Sequence, residues 1–370
     1  MRVLFIARYR DPTMHRKVEH MAQTGDLLIR HIFPGVWQDD LLRVDQQLPD
    51  MPGLQRRTTG MIGSPIDPHR SFYRSLTLGI PAFRPHIIHA EEEPDSLAAL
   101  QIVLCRRLFA PQAKLFLHTW QNVDRPLSLP VRAVLAATLA AADAIFCANR
   151  EAVELLQQRR YLRPMPVIPA VGVDTEQFCP RLPKTSERFR VGYIGRLIPE
   201  KGIDILLQAA ARLADGCQVV IVGGGPEESF LRQQVEALEL GDQVQFVASV
   251  PTAQIAGVLG GLDALVLPSR STTVWKEQMG RVLLEAMAVG VPVIGSDSGA
   301  IPEVIGEAGL IFPEGDVDAL ATRLVELMSR SELSRELIRR GQARVNALYS
   351  QKKLAARTVE FYRRMGGIPL

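Results

Sequence analysis

Arg190-Val191-Gly192-Tyr193-Ile194-Gly195-Arg196-Leu197-Ile198-Pro199-Glu200-Lys201-Gly202 is the stretch on which the fold turns. A short apolar strand runs into a glycine turn, and Glu-Lys-Gly then stands just before an apolar pattern of helical period. The same grammar returns at Val219-Val220-Ile221-Val222-Gly223-Gly224-Gly225-Pro226, a strand ending on glycines. Strand, tight turn and helix in repetition predict a parallel sheet, and strands apolar on both faces predict that helices cover it.

Working outward from this stretch, further strands are expected near 218–222, 244–247, 263–267, 292–295 and 310–312. The first half repeats the pattern, with strands at Val3–Ala7, Leu27–Phe33, Ile87–Ala90, Ala113–His118, Ala144–Cys147 and Val167–Pro169. Helices are expected at His15–Ala22, Asp95–Leu108 and Val131–Ala141. Gly35–Pro68 is polar, proline-containing and poorly periodic, and reads as long loops. The stretch Pro180–Arg190 interrupts the series as a linker. Three segments follow: residues 1–180, residues 181–350, and a terminal helix in 351–370 placed to cross back onto the first domain. The tail helices are read at Val317–Leu327, Ser331–Leu348 and Gln351–Tyr362.

A chain of 370 residues accommodates two such domains, and 47% apolar with 22% charged residues is a globular composition that excludes disorder and fibrous repeats. Apolar runs break too soon at Gly, Asp or Pro to span a bilayer. The N-terminal Met1–Ala7 meets Arg8, Arg10 and Asp11 at once and reads as a first strand rather than a secretory leader, so a cytoplasmic location is expected. Cys105, Cys147, Cys179 and Cys217 are isolated and form no metal-ligand spacing; reduced thiols and no metal are expected. A net charge of +3 singles out no partner. Arg8, Arg10, Arg16 and Lys17 leave open an anion or a peripheral contact with an acidic membrane surface, beside the simpler reading as a solvated face. No aromatics interleave a basic stripe, which argues against nucleic acid.

The candidate site lies in the second half. Glycine at 195 and 224 permits close approach of a ligand to the strand ends, and Arg196 and Lys201 offer guanidinium and ammonium donors to phosphate oxygens. The strongest constellation is Trp275-Lys276-Glu277-Gln278-Met279-Gly280-Arg281-Val282-Leu283-Leu284-Glu285-Ala286-Met287. Glu277 and Glu285 are eight positions apart, an advance of about 12 Å if both lie on one helix. That separation suits two parts of an extended ligand better than one metal. Backbone N–H groups near Gln278, Met279 and Gly280 are placed to meet a sugar or diphosphate. A solvent-facing pair of cations, an acidic helix start and a buried salt bridge at Glu285 are the structural alternatives. Neither a full Gly-x-Gly-x-x-Gly fingerprint nor a Walker loop is present.

In order, Gly192–Gly202, Val222–Pro226, Glu277–Glu285 with Gly290-Val291-Pro292, and Ser298-Gly299-Ala300-Ile301-Pro302-Glu303-Val304-Ile305 resemble the retaining glycosyltransferases of family 4. The resemblance is clearest over 190–315. It implies the glycosyltransferase B fold: α/β, with two Rossmann-like domains facing across a cleft. It also implies a nucleoside-diphosphate-sugar donor on the second domain, an acceptor (sugar, lipid-linked or small-molecule) on the first, and no tightly bound cofactor. On that likeness Arg196 and Lys201 contact the diphosphate, Glu277 the sugar and Glu285 the ribose. His118, at a strand end beside Trp120, matches the family's first-domain histidine, with a packed structural histidine as the alternative. Glu91-Glu92-Glu93 reads as a solvated acidic run, with one member available to an acceptor. One departure stands out: Arg8-Tyr9-Arg10-Asp11-Pro12 replaces the glycine-containing loop of many relatives. An epimerase of the same fold and a non-catalytic nucleotide-sugar-binding protein remain as alternatives. Product formation separates them from a transferase.

Overall fold

The computed structural model describes residues 1–9, 11–38, 43–46, 48–63, 67, 69–180, 188–213 and 216–366. The chain divides into two compact units: Met1–Gly172 with the segment from Gln351 onward, and Val173–Ser350.

The first unit carries β1 (Arg2–Ala7), β2 (Leu28–Pro34), the hairpin β3 (Val36–Gln38) and β4 (Arg43–Asp45), and then β5 (Leu54–Thr59). It continues through the small pair β6 (Met61–Ile62) and β7 (Phe72–Tyr73) to β8 (Ile87–Glu91), β9 (Lys114–Thr119) and β10 (Ala144–Cys147). Its main sheet runs β10-β9-β8-β1-β2-β5, with every pairing parallel. The second unit repeats this plan with β11 (Phe189–Ile194), β12 (Cys217–Val222), β13 (Val244–Val247), β14 (Ala264–Leu267), β15 (Val293–Ser296) and β16 (Leu310–Phe312). Its order is β13-β12-β11-β14-β15-β16, again all parallel. Both units are Rossmann-like. In each, strand order reverses beside the first strand, leaving a crevice at the carboxyl ends of β1 and β8 and of β11 and β14.

Several expectations needed correction. Gly35–Pro68 is not all loop: among its described residues it supplies β3, β4 and the edge strand β5, whose polar Gln55-Arg56-Arg57-Thr58-Thr59 hides a strand signal because an edge leaves one side to water. Val167–Pro169 is no strand; Val167 makes one isolated bridge to Cys147. A helix at Arg150–Gln158, capped by the Asn149 side chain on the Ala152 N–H at 2.8 Å, was not foreseen. The units part at Gly172 and Val173 rather than at 180 and 181, because the Val173 N–H donates to the Tyr349 carbonyl (2.9 Å) and Val173 bridges to Ser350. Most of the expected linker, residues 181–187, and Arg10 lie outside the described residues.

The helix Gln351–Gly366 buries Leu354, Ala355, Val359, Phe361 and Tyr362 against the first unit. Tyr362 Oη lies 2.5 Å from His89 Nδ1. Phe5 packs edge-on against His31 and His89, and the unit also buries His15 and His118; all four histidines are at most 2% exposed. Burial holds each of these imidazoles neutral: His15 is pushed down to about 4, His118 to about 3, and His31 and His89 well below the ordinary value. Both ring nitrogens of His31 lack a hydrogen-bond partner among the described residues.

A histidine neutral when folded takes up a proton once unfolded, so acid favours the unfolded chain, by about 1.4 kcal/mol per unit of pKa difference. The stability these groups hold above their ordinary value of 6.5 is lost as pH falls through 6.5 toward about 4. Burial raises the carboxyls of Glu91 and Glu93, the latter to about 7, and these two work in the opposite sense, against four histidines. We therefore expect the thermal midpoint to fall steadily between pH 6.5 and 4. His31→Leu, which removes two unpaired ring nitrogens, should flatten that fall; a variant with the wild-type slope would contradict this assignment.

Candidate functional site

The loops leaving β11 and β12 lie against each other. Gly195 N–H donates to the Val222 carbonyl and Leu197 N–H to the Gly224 carbonyl, each at 3.0 Å. Gly223 has a φ of 146°, and a β-carbon there would sit 1.9 Å from the Gly195 carbonyl oxygen, so no side chain fits between the two turns. This contact leaves the backbone at 195 and 224 at the strand ends, where the sequence placed it. Arg196 is exposed and has no ion-pair partner among the described residues. Its carbonyl accepts from the Tyr193 hydroxyl at 2.7 Å, and burial raises the tyrosine's pKa.

Lys201 closes the short 3-10 turn Pro199–Lys201 and reaches Glu277, Nζ to Oε2 2.5 Å, over the face of Trp275 at 5.0 Å from the ring centroid. The pair is largely withdrawn from water, its side chains 15% and 9% exposed. Ser269, just beyond β14, donates its hydroxyl to the same Oε2 at 3.0 Å, and Gly280 N–H points to Oε1 at 3.3 Å. The Glu277 carbonyl takes the Ala300 N–H at 2.8 Å. Gly299 makes that approach feasible: at a φ of 52°, its missing β-carbon would lie 2.3 Å from the same carbonyl oxygen.

The sequence-derived residues thus fall into distinct places. Lys201 and Glu277 are in direct contact. The helix begins at Arg281, so Glu277 precedes it and the helical advance of about 12 Å to Glu285 does not apply. Glu285 is buried in the helix Arg281–Val289 and pairs with Arg281 at 2.8 Å, in accord with the salt-bridge alternative. Gln278 is exposed, whereas the Met279 side chain is 5% exposed and belongs to the core. The Gly280 N–H is engaged by Glu277 rather than free for a ligand. Ser269 escaped notice because a lone serine in a polar loop carries no periodic signal; its position just past an apolar strand was the available clue.

The first unit overturns the solvated reading of Glu91-Glu92-Glu93. Glu91 pairs with Lys17 at 2.7 Å and accepts from the Tyr9 hydroxyl. Glu92 pairs with Arg8 and accepts from the Tyr73 hydroxyl at 2.5 Å. Glu93 accepts from the Thr119 hydroxyl and the Trp120 N–H, both at 2.7 Å. Lys17 is wholly buried and also donates to the Ala170 carbonyl at 3.0 Å, so neither it nor Arg8 belongs to a basic surface; Arg16 is exposed beside Glu19. Side chains that follow β1 thus neutralise carboxylates at the end of β8. His118 stacks obliquely on Trp120 at 5.1 Å, with its Nε2 buried and unpartnered among the described residues. Among the described residues no group of three His, Cys, Asp or Glu is arranged to hold a metal ion, and no helix is long and apolar enough to cross a membrane.

Residues 174–344 match the model of the family described as glycosyl transferases group 1. A GDP-mannose-dependent alpha-(1-6)-phosphatidylinositol monomannoside mannosyltransferase of Mycobacterium tuberculosis is 33% identical over 208 residues, 52% of this chain and 54% of that protein. The chain therefore spans about half the length of that relative. The 2-deoxystreptamine N-acetyl-D-glucosaminyltransferase of Streptomyces fradiae is 27% identical over 339 residues, covering 83% of this chain and 78% of the relative. Among solved structures, Anabaena HepE in complex with UDP superposes with a TM-score of 0.74 at 17% identity, over 98% of this chain and all (100%) of that one. Sucrose-phosphate synthase of Thermosynechococcus elongatus gives 0.71 at 22% identity, over 99% of both chains. At these identities the structures speak for the fold. Taken with the two Rossmann-like units and the matched second unit, they make the chain a GT-B-fold protein related to the glycosyl transferases group 1 family.

Proposed function

We propose that this chain is a retaining glycosyltransferase that moves a sugar from a nucleoside-diphosphate-sugar donor to an acceptor hydroxyl, with the donor held by the second unit and the acceptor by the first. The observation that carries the reading is the Lys201–Glu277 pair, buttressed by Ser269, at the strand ends of the unit that matches the family.

Breaking the sugar–phosphate bond leaves extra negative charge on the departing diphosphate, so a positive group beside it stabilises the transition state more than the ground state. Lys201 is half spoken for by Glu277, which leaves Arg196 as the group with uncompensated charge. In this division of labour Arg196 meets the diphosphate as a fork of donors, and Lys201 adds its remaining N–H bonds. Glu277, already the acceptor of three donors, orients the sugar hydroxyls. Glu285, steered by Arg281, faces the ribose. Gly195 and Gly224 admit the diphosphate to the backbone, and His118, at a strand end of the first unit, is assigned a hydrogen bond to a sugar hydroxyl. No side chain is assigned as a covalent nucleophile: the acceptor oxygen forms its bond to the anomeric carbon as the phosphate oxygen leaves on the same face and receives the acceptor's proton. The reaction takes place in the cytoplasm.

GDP-mannose and UDP-glucose are the first donors to assay, since one relative is named for the former and a structural neighbour holds UDP. Incubation with a panel of donors and acceptors, followed by mass spectrometry, should yield an acceptor glycoside. Interconversion of the donor sugar without acceptor would support an epimerase instead, and nucleotide binding without turnover a regulatory protein. Lys201→Ala and Glu277→Ala should each lower kcat/KM by roughly two to three orders of magnitude. Glu285→Ala should act mainly on the donor KM. Near-normal kinetics in both Lys201→Ala and Glu277→Ala would defeat the residue assignment.

A further inference from the structure

The first unit has an open groove of about 520 Å³ lined by the segment Asp124–Leu127, by the helix Leu129–Ala141 and by Arg159. Its wall is made by Leu135, Ala136 and Leu139 with Leu127, and its charged lining consists of Arg125, Arg132 and Arg159 against the single carboxylate of Asp124. Arg132, Leu135, Ala136 and Leu139 follow i, i+3, i+4, i+7 spacing, so one helix face presents a cation followed by an apolar stripe. Leu129 begins the same stripe and is 77% exposed.

The three guanidinium groups are unequally satisfied. Arg159 lies 3.0 Å from Asp124, whose side chain is 72% exposed, an arrangement worth little in water. Arg125 is tied to the buried Asp95 at 3.2 Å and to His69 at 2.9 Å. Arg132 is exposed and has no ion-pair partner among the described residues. Asp95 lies just beyond β8 and also accepts from Gln121, just beyond β9, at 2.7 Å. Arg125 therefore joins the groove to the carboxyl ends of the first unit's strands, where the acceptor is assigned.

A largely apolar groove of ligand-pocket size whose lining includes guanidinium groups matches one class of molecule, a hydrocarbon chain ending in an anionic head. We propose that this groove binds the chain and phosphate of an amphiphilic acceptor, so that the acceptor is a lipid phosphate or phospholipid whose headgroup hydroxyl is presented at the strand ends. Arg132 and Arg125 hold the phosphate, and Leu135, Ala136 and Leu139 cover the hydrocarbon. The acceptor role rests on the function proposed above, whereas the ligand class rests on the groove alone.

Calorimetric titration of the full chain tests this with dodecyl phosphate below its aggregation threshold, dodecyl maltoside as the neutral amphiphile, and inorganic phosphate as the chainless anion. Dodecyl phosphate should bind at least roughly tenfold more tightly than either, because only it uses both halves of the groove. Arg132→Glu and Ala136→Asp alter exposed positions, and each should weaken that binding by about tenfold with an unchanged thermal midpoint. Equal binding of dodecyl phosphate and dodecyl maltoside, or dodecyl phosphate affinity unchanged in both variants, would overturn the proposal. GDP and UDP titrated in parallel keep the two readings apart: loss of nucleotide binding in the unmodified chain counts against the donor assignment, while the dodecyl phosphate result judges the groove.

Discussion

One carboxylate holds the candidate site together. Glu277 accepts from Lys201 after β11, from Ser269 after β14 and from Gly280 at a helix start, while its own carbonyl takes the Ala300 N–H after β15. The loops following three strands, and the start of one helix, are thereby fixed to a single residue. Such a residue is stiff, because displacing it would strand several polar groups away from water at once. A donor group that meets Glu277 meets an acceptor whose orientation is already set, which is what a site that must discriminate geometry requires.

The legibility of this molecule in its sequence follows the physics of each element. The central strands could be read because Val3–Ala7 and Val219–Val222 are buried on both faces and so appear as unbroken apolar runs. Edge strand β5 could not, since one side meets solvent and its composition is that of a loop. Lys201 and Glu277 were legible individually, but their mutual contact, 76 positions apart, is a property of the sheet order. Gly280 shows the limit of motif reading: spacing suggested a free N–H, and the fold gives that N–H to Glu277.

The first unit reveals a second limit. Glu91-Glu92-Glu93 is a charge run whose ordinary fate is solvation, yet each member is paired with a group that sequence distance concealed: Lys17, Arg8, and the Thr119–Trp120 corner. Buried pairs of this kind are weak evidence for stability, because desolvation offsets much of their attraction. They do fix which residues meet at the strand ends. Arg8 and Tyr9, just past β1, hold two of these carboxylates through their side chains.

The discontinuity of the first unit has a consequence in time. Its core includes Phe361 and Tyr362, and the Tyr362 hydroxyl supplies the partner of His89 on a central strand. On a ribosome moving at about 5–20 residues per second, those side chains emerge roughly 10–40 seconds after Gly172 has been made. Throughout that interval the N-terminal sheet has an open flank of aromatic rings and an unanswered imidazole, while the whole of Val173–Ser350 is being synthesised and is free to fold. The unit that begins first is the one that finishes last.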